Sequence, residues 1–466
     1  MERWHLTLLL AAAATVGALV APSLTAPHRA AVPPAEVPLV PVEIAEATWG
    51  QGPLSLSVEM DRDAVLQDGD NLRYVVVTLT APDVQSERVP VDIAVVVDTS
   101  GSMGREGKIE AARAAADELV DALREGDRFA LVGFDDRARV LVPGAPFDGD
   151  TARLHAVVRG LRDDGGTNLW DGLELGEDQL ASAWSTNPRK VLVVSDGQAN
   201  IGETSPEAFA RLARTYASGG VSVSAIGLGR DFNENLLESM VDAGGGSYRF
   251  VGNPEELSTV IAAELERTTQ TLARQARVRV HVGEGVRIRE VYGWTASPSG
   301  ADGTTDGTEV YVGDISAGQT RKIVLAVEVP AGTIGDRSVA RAELSWDPVD
   351  GGARRSSSAG VVAHITRDAD AVRASVDETA TIAATRARAG ALTRASADAW
   401  RDGDDDKARA MMRDASSVID RTLAEVDAPE LRADRETMST LSSLGYTEGA
   451  SYAAKAASEA GRDLSR

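Results

Sequence analysis

Short apolar segments alternate with helix-forming segments over residues 91–272, and this order constrains the fold more than any other feature of the sequence. Strands are predicted at DIAVVVD, RFALVGF, ARVLVP, KVLVVSD and VSVSAIGLG. Helices are predicted between and after them, at 108–123, 151–161, 169–183, after Ser205, at 233–241 and at 254–272. Short strands without a polar face are typical of a sheet that helices cover on both sides. The pattern therefore predicts an α/β domain with a doubly wound, mostly parallel sheet.

Strand-forming segments lie on both sides of this region. Residues 44–90 contain GPLSLSVEM and LRYVVVTLT around the turn-forming QDGDN, and residues 273–366 contain several more alternating segments. Two strands alone do not make a stable unit, so we predict one β-sandwich into which the α/β domain is inserted. Residues 367–466 are rich in Ala, Arg and Asp. They are predicted to form a helical appendage of two helices, separated by RDGDDDK and followed by a polar tail.

The N-terminal residues have the layout of an export signal. Residues 1–26 combine a short charged start, an apolar run at 6–21 and small residues, which predicts a secretory signal peptide. No clean A-x-A cleavage site is visible, and Pro22 and Pro27 lie nearby, so an uncleaved membrane anchor is the alternative. Residues 27–43 are predicted to be a Pro-rich linker. We expect an exported protein that is periplasmic, at the cell surface or secreted, with membrane contact only through this segment.

Composition excludes several classes of function. The chain has 71 Asp and Glu residues against 48 Lys and Arg, a net charge of -23 that repels nucleic-acid phosphates. The absence of cysteine excludes disulfides, thiolate nucleophiles and Cys-based zinc sites. No Ser-His-Asp order and no paired general acid and base are visible. The sequence therefore predicts neither a nucleic-acid-binding protein nor an enzyme.

The first strand of the α/β region ends in a polar cluster, DTSGSMG, that contains Asp98, Ser100 and Ser102. In open α/β sheets, ligands bind at the carboxyl ends of the strands. A phosphate-binding loop does not fit, because GSMGREGK is one residue too long and Ile109 replaces the required hydroxyl. An aspartyl phosphotransferase lacks its general acid, because Ser100 stands where the second carboxylate is expected.

A cation site fits the cluster once two later loops are considered. Thr167 lies in a glycine-rich turn before a helix, and Asp196 follows another buried strand. If these strands are neighbours, Asp98 and Asp196 come close together, and two carboxylates about 5 Å apart repel by roughly 3 kcal/mol at an effective dielectric constant near 20. A cation removes that repulsion. Oxygen donors alone favour Mg²⁺ or Mn²⁺, with Ca²⁺ as an alternative, over zinc or copper.

The pattern Asp98-x-Ser100-x-Ser102, followed by Thr167 and by Asp196 in SDG, resembles the von Willebrand factor A (VWA) domain family. The segments GGTNLWDGL and VLVVSDGQANIG are similar to relatives of inter-alpha-trypsin inhibitor heavy chains, and the resemblance covers 91–272. It implies a metal ion-dependent adhesion site in which Ser100, Ser102 and Thr167 bind the ion directly, while Asp98 and Asp196 bind it directly or through water.

Two functions remain as expectations, the first implied by this resemblance and the second an alternative to it. In the first, the open position of the ion captures a carboxylate of a protein partner, as in integrin-like adhesion. In the second, the chain is an envelope assembly or chaperone-like factor whose VWA domain is a metal-sensitive regulator.

Overall fold

The computed structural model describes residues 53–69, 71–83, 87–181, 185–229, 232–298 and 307–466. The predicted signal peptide or anchor at 1–26 and the predicted linker at 27–43 lie outside these residues. Within the ranges given, no helix is both long and apolar enough to cross a bilayer.

In the described part of the chain, the helices and strands fall into four groups. The first is β1 (Ser55–Met60), β2 (Ala64–Leu66) and β3 (Leu72–Thr80). The α/β domain contains the strands β4 (Asp92–Asp98), β5 (Arg128–Phe134), β6 (Ala138–Pro146), β7 (Arg189–Ser195), β8 (Val221–Leu228) and β9 (Gly245–Val251). Its helices are α1 (Lys108–Ala122), α2 (Thr151–Val158), α3 (Leu169–Ala181), α4 (Pro206–Ser218), α5 (Glu234–Gly244) and α6 (Leu257–Thr269).

The third group is again β structure: β10 (Thr271–Val282), β11 (Arg287–Tyr292), β12 (Ala296–Pro298), β13 (Gly307–Ser316), β14 (Thr320–Glu328), β15 (Gly335–Pro348) and β16 (Arg355–Thr366). The fourth group is helical: α7 (Ala369–Ala374), α8 (Glu378–Arg401), α9 (Asp405–Leu423), α10 (Pro429–Thr447) and α11 (Ala450–Ser465). Because β10 begins at Thr271, the β-sandwich resumes two residues before the predicted start at 273.

The sheet of the α/β domain has the order β6-β5-β4-β7-β8-β9. Its strands are parallel except β6, which runs antiparallel to β5 at one edge. Along β4, Ile93 and Val95 pack into a core with α1 and α6, whereas Ala94 and Val96 pack into a second core with α3 and α5. Both faces of the strand are buried because helices cover both faces of the sheet. The predicted doubly wound sheet is confirmed.

Strands from both sides of the α/β domain form one β-sandwich. Its two sheets have the orders β1-β3-β14-β11 and β12-β13-β10-β15-β16-β2. Strand β3 pairs with β14, and Val76 lies opposite Val324. Val77, Val278 and Leu325 belong to the apolar core of this sandwich. The predicted insertion of the α/β domain into a split sandwich is therefore confirmed.

Three strands, β2, β9 and β12, were not predicted from the sequence, and β12 like β2 has only three residues. Strand β2 has only three residues and is held by its pairing with the end of β16, and so short a segment shows no periodicity. Strand β9 has the sequence GGSYRFV and lies at the edge of the α/β sheet. Its glycines and its half-exposed residues hide the apolar pattern that identifies a buried strand.

The prediction of two C-terminal helices and a polar tail is wrong, because α10 and α11 form where the tail was expected. Helix α11 buries Ala453, Ala457 and Gly461 against its neighbours. A Cβ atom on Gly461 would lie 2.7 Å from the carbonyl oxygen of Gly390 in α8, so the two backbones are in close contact. Packing through Ala and Gly leaves little hydrophobic contrast in the sequence, and the helix was therefore missed.

Polar contacts join α11 to helix α5 of the α/β domain. Glu234, Glu238 and Asp242 are spaced one turn apart on α5, and they accept hydrogen bonds from Lys455, Ser458 and Arg462 on α11. The ammonium of Lys455 lies 2.6 Å from a carboxylate oxygen of Glu234. Buried charges of this kind are stable only when paired, so these contacts orient the C-terminal helices on the α/β domain.

Candidate metal centre

The carboxylate of Asp98 is held in one orientation at the end of β4. One carboxylate oxygen accepts a hydrogen bond from the backbone N–H of Ser100 at 2.8 Å, and the other accepts one from the hydroxyl of Ser195 at 2.6 Å. The residue is fully buried. Since β7 lies beside β4 in parallel register, the residues that follow both strands meet at one edge of the sheet.

Hydroxyl groups connect Asp98 to Asp196. The Oγ atoms of Ser100 and Ser102 are 3.0 Å apart, and Ser102 donates a hydrogen bond to Asp196 at 2.7 Å. Ser102 lies in a short 3-10 turn, Gly101–Gly104, that directly follows the strand. The turn places Ser102 above the edge of the sheet. Hydrogen bonds therefore connect four of the predicted site residues, Asp98, Ser100, Ser102 and Asp196.

Thr167 approaches the same point from the loop before α3. Its backbone N–H donates to the side chain of Asn200 at 2.9 Å, and its carbonyl accepts from the backbone N–H of Asn200 at 3.1 Å. A Cβ atom built on Gly197 would lie 3.1 Å from Thr167 Oγ1 and 3.5 Å from a carboxylate oxygen of Asp98. The two side chains therefore face one space that exists because residue 197 is glycine. Among the described residues, none forms a hydrogen bond with Thr167 Oγ1.

Burial makes the negative charge at this site unfavourable. Desolvation raises the pKa of Asp98 to about 6, although hydrogen bonds from Ser100 and Ser195 lower it, and the charge of Asp196 raises it further. A carboxylate that is destabilised by burial and by a like charge gains most from a bound cation. The five predicted residues, Asp98, Ser100, Ser102, Thr167 and Asp196, are thus brought together at a site that favours a positive ion.

Lys108 is a part of this site that sequence reasoning missed. Its ammonium donates to the second carboxylate oxygen of Asp196 at 2.8 Å and is buried, with 3% of its side chain exposed. Lys108 is the first residue of α1, where the helix dipole disfavours a cation. That unfavourable placement was the available signal in the sequence. The positive charge of Lys108 therefore compensates the negative charge of Asp196, one of the two buried carboxylates.

The donor set fits a hard divalent cation. Its oxygens come from hydroxyl and carboxylate groups, which suit Mg²⁺, Mn²⁺ or Ca²⁺ and not the softer transition metals. The described residues contain no group of three or more His, Cys, Asp or Glu side chains with the arrangement of a metal site. A cation held at this centre would depend on serine and threonine hydroxyls as much as on the two carboxylates.

Replacing Lys108 by methionine is expected to tighten Mn²⁺ or Mg²⁺ binding by about tenfold or more, because a positive charge next to the ion is removed. The same variant should unfold at a lower temperature in EDTA, since Asp98 and Asp196 lose their compensating charge. Calorimetric titration and thermal unfolding measure the two effects. Lys407→Met, an exposed lysine on α9, is the control. Unchanged or weaker ion binding in Lys108→Met would contradict this role.

Comparison with known proteins identifies the α/β domain. A sequence model of the von Willebrand factor type A domain matches residues 92–263. YfbK of Escherichia coli is 27% identical over 207 residues, 44% of this chain and 36% of YfbK. Inter-alpha-trypsin inhibitor heavy chain H3 of Rattus norvegicus is 31% identical over 196 residues, 40% of this chain and 22% of that protein. This chain thus spans well under half the length of either relative.

Solved structures share the wider architecture. The von Willebrand factor type A protein from Catenulispora acidiphila has a TM-score of 0.67 at 21% identity, and the alignment covers 84% of this chain and 90% of that chain. The ArnB paralog VWA2 from Sulfolobus acidocaldarius has a TM-score of 0.60 at 17% identity, with 89% and 99% covered. At these identities the similarity shows the fold alone. The family match, the relatives and the fold agree, and residues 92–263 form a von Willebrand factor type A domain.

Proposed function

We propose that this chain is an exported binding protein that holds a divalent cation at Asp98, Ser100, Ser102, Thr167 and Asp196 and uses it to capture an acidic group of a protein partner. VWA domains typically mediate protein–protein interaction or adhesion and commonly bind a divalent metal. The observation that carries the proposal is the convergence of these side chains around the space above Gly197. The signal-like pattern of residues 1–26 supports export.

The charges of the site favour a carboxylate as the additional ligand. When bound, the ion supplies an electrophilic position for a carboxylate oxygen. Ser195 and Lys108 hold Asp98 and Asp196 in place through hydrogen bonds of 2.6 and 2.8 Å. Because Lys108 compensates one carboxylate and the three hydroxyl ligands are neutral, a divalent ion here retains net positive charge. Mg²⁺ or Mn²⁺ is the proposed ion, since both accept octahedral oxygen sets, and Ca²⁺ is the larger alternative.

Partner capture is expected to require the ion. Immobilised protein should retain a specific partner from envelope extract in Mg²⁺, release it in EDTA, and fail to retain it when Asp98 is replaced by asparagine. Circular dichroism in EDTA should show that the fold persists without metal. If the partner is still captured in EDTA and by the Asp98→Asn variant, the proposed function is wrong.

The contact of α11 with the region beside the metal centre favours a second candidate, an envelope assembly or chaperone-like factor whose VWA domain is a metal-sensitive regulator. Lys455 on α11 donates to the carbonyl of Phe232 at 3.3 Å. Lys108 packs against Gly229, where an added Cβ atom would lie 2.9 Å from its Cε. Phe232 and Gly229 belong to the same connection between β8 and α5. Metal binding and the position of α11 are coupled in this second function.

Lys455→Met separates the two functions. Glu234 keeps its other partner, because Arg401 lies 2.7 Å from its second carboxylate oxygen, so the variant should fold. The regulatory function expects the Mg²⁺ affinity to change by about tenfold, the scale of a coupling energy near 1.4 kcal/mol. The capture function expects unchanged Mg²⁺ affinity and unchanged partner capture. Isothermal titration and the capture assay measure both quantities.

A further inference from the structure

A polar cavity of about 150 Å³ lies where the VWA domain, the β-sandwich and helix α11 meet. It is separate from the metal centre, because its VWA residues come from β9, from α6, from the end of α5 and from the first residues of β7 and β8. Basic side chains from all three parts line it: Arg249 and Arg267 from the VWA domain, Arg321 from the sandwich, and Arg462 and Arg466 from the C-terminal end of the described chain.

The lining is more positive than the rest of the protein. Among the described residues around the cavity, six are Lys or Arg and four are Asp or Glu, although the whole chain has a net charge of -23. The carboxylates are shared between several cations. Asp242 pairs with the guanidinium groups of Arg394, Arg462 and Arg466. A single carboxylate cannot neutralise three guanidinium groups, so positive charge remains.

Several donors at the cavity lack an acceptor. Within the described part of the chain, Arg321 forms neither an ion pair nor a hydrogen bond through its side chain. Arg462 uses one nitrogen on Asp242, while its Nε and Nη2 atoms are buried without a partner, as is the hydroxyl of Tyr248. Buried donors without acceptors are rare, and each is unfavourable by about 1–3 kcal/mol. An anion in the cavity would give Arg321 an acceptor and would stabilise the incompletely paired charge of Arg462.

Two of the cavity arginines, Arg321 and Arg466, have a lowered pKa, whereas neighbouring carboxylates outweigh burial and raise the pKa values of Arg249 and Arg462. Burial lowers the pKa of Arg321, and the neighbouring Arg267 and Arg249 lower it further. Burial also lowers the pKa of Arg466, to about 10. The charge of Asp242 raises this pKa, whereas Arg462, Arg394 and Arg321 lower it further. Arg466 is nevertheless held in place, because its guanidinium lies 4.5 Å from the centre of the Trp294 ring.

We propose that this cavity binds a small tetrahedral oxyanion of the phosphate class, with its oxygens accepting from Arg321 and its charge compensated by the surrounding guanidinium groups. Four acceptor oxygens arranged in a tetrahedron match donors that come from separate sides, and a doubly charged anion matches the surplus of two cations in the lining. A bound anion would connect the VWA domain, the sandwich and α11, and so would stabilise their packing. The site is independent of the divalent cation.

The test uses the full chain, with inorganic phosphate as the probe and EDTA present so that the metal centre does not contribute. Wild-type protein should show saturable binding by isothermal titration, and its Tm should rise in phosphate relative to NaCl of equal ionic strength. Sulfate should compete with phosphate. Equal Tm values in phosphate and chloride, or a failure of sulfate to compete, would overturn the assignment.

Arg321→Met should bind phosphate at least tenfold more weakly. In phosphate-free buffer this variant should be as stable as the wild type or more stable, because an unpaired cation is removed from a positive cavity. Arg249→Gln, at the rim with 31% of its side chain exposed, should weaken binding several-fold and serves as a second variant. Arg279→Met, an exposed arginine on β10 paired with Glu309, is the matched control with unchanged affinity. Unchanged phosphate affinity in both cavity variants would refute the site.

Discussion

Asp98→Asn is expected to weaken divalent-ion binding by at least about a hundredfold. Two unit charges 4 Å apart attract by about 4 kcal/mol at an effective dielectric constant of 20, and a hundredfold change in affinity corresponds to about 2.7 kcal/mol. Asparagine preserves the shape of the side chain, and its one carbonyl oxygen can still accept from the N–H of Ser100, while its NH₂ group can donate to the hydroxyl of Ser195, which reverses its role. The loss should therefore come from charge and not from a rearranged loop. Titration calorimetry with Mn²⁺ and Mg²⁺ measures it.

The same substitution should not destabilise the metal-free protein. Asp98 and Asp196 are buried like charges, and burial already raises the pKa of Asp98 to about 6. Removing one of them should leave the Tm in EDTA unchanged or higher.

Asp92→Asn is the matched control for this experiment. Asp92 is equally buried at the other end of β4, where it accepts a hydrogen bond from Asn187 at 2.9 Å. This variant loses a charge from the same strand but should keep its ion affinity. Near-native ion binding by Asp98→Asn, or an equal loss in Asp92→Asn, would be incompatible with the proposed centre.

Asp242→Ala is expected to lower the free energy of unfolding by about 3–5 kcal/mol, the usual effect of removing one partner from a buried ion pair. The substitution leaves Arg394, Arg462 and Arg466 facing one another without their shared carboxylate. It also removes one of the three polar contacts between α5 and α11, the one between Asp242 and Arg462. Urea unfolding at pH 7, followed by circular dichroism, measures the change.

The pH dependence of stability provides a second readout for Asp242. Burial alone would raise the pKa of this carboxyl, but Arg466, Arg462 and Arg394 outweigh it and lower the pKa from 3.8 to about 2. Because the folded pKa is the lower one, the stabilisation is fully present above about pH 4 and is lost as the pH falls through about 2. The difference in stability between the wild type and Asp242→Ala should shrink over that interval.

Asp463→Ala is the control for the Asp242 experiment. This nearby carboxylate has 58% of its side chain exposed and pairs with Arg249. Exposed ion pairs contribute about 0–1 kcal/mol, so the control should lose no more than that. A similar small loss in Asp242→Ala would show that the three arginines do not depend on it.

Much of the fold and part of the site follow from local patterns. Uninterrupted apolar strands such as β4 predicted a sheet that helices cover on both faces. Apolar residues point to both sides of such a strand, so both sides have to be buried. The spacing of Asp98, Ser100 and Ser102 predicted one side of the metal centre in the same way. Thr167 and Asp196 joined the prediction because the carboxyl ends of neighbouring parallel strands meet at one sheet edge.

Other features could not be predicted because their partners are distant in sequence. The position of Lys108 at the start of α1 was a signal in the sequence, but only the fold places its ammonium 2.8 Å from Asp196. Helix α11 appeared to be a polar tail because Lys455, Ser458 and Arg462 are polar, although each is buried against an acidic residue of α5. Hydrophobic periodicity identifies helix faces that pack through apolar side chains. It does not detect a helix face that packs through charge pairs and small residues.

The sequence by itself determined the α/β domain, its insertion in a split sandwich and the five oxygen-bearing residues of the candidate metal centre. These depend on strand periodicity and on short motifs that neighbouring residues specify. Only the tertiary structure decided that Lys108 compensates Asp196, that α11 docks on the VWA domain, and that Arg321 faces a cavity with Arg462 and Arg466. Those features are pairings of charges between distant segments, and Coulomb interactions act through space without leaving a periodic pattern along the chain.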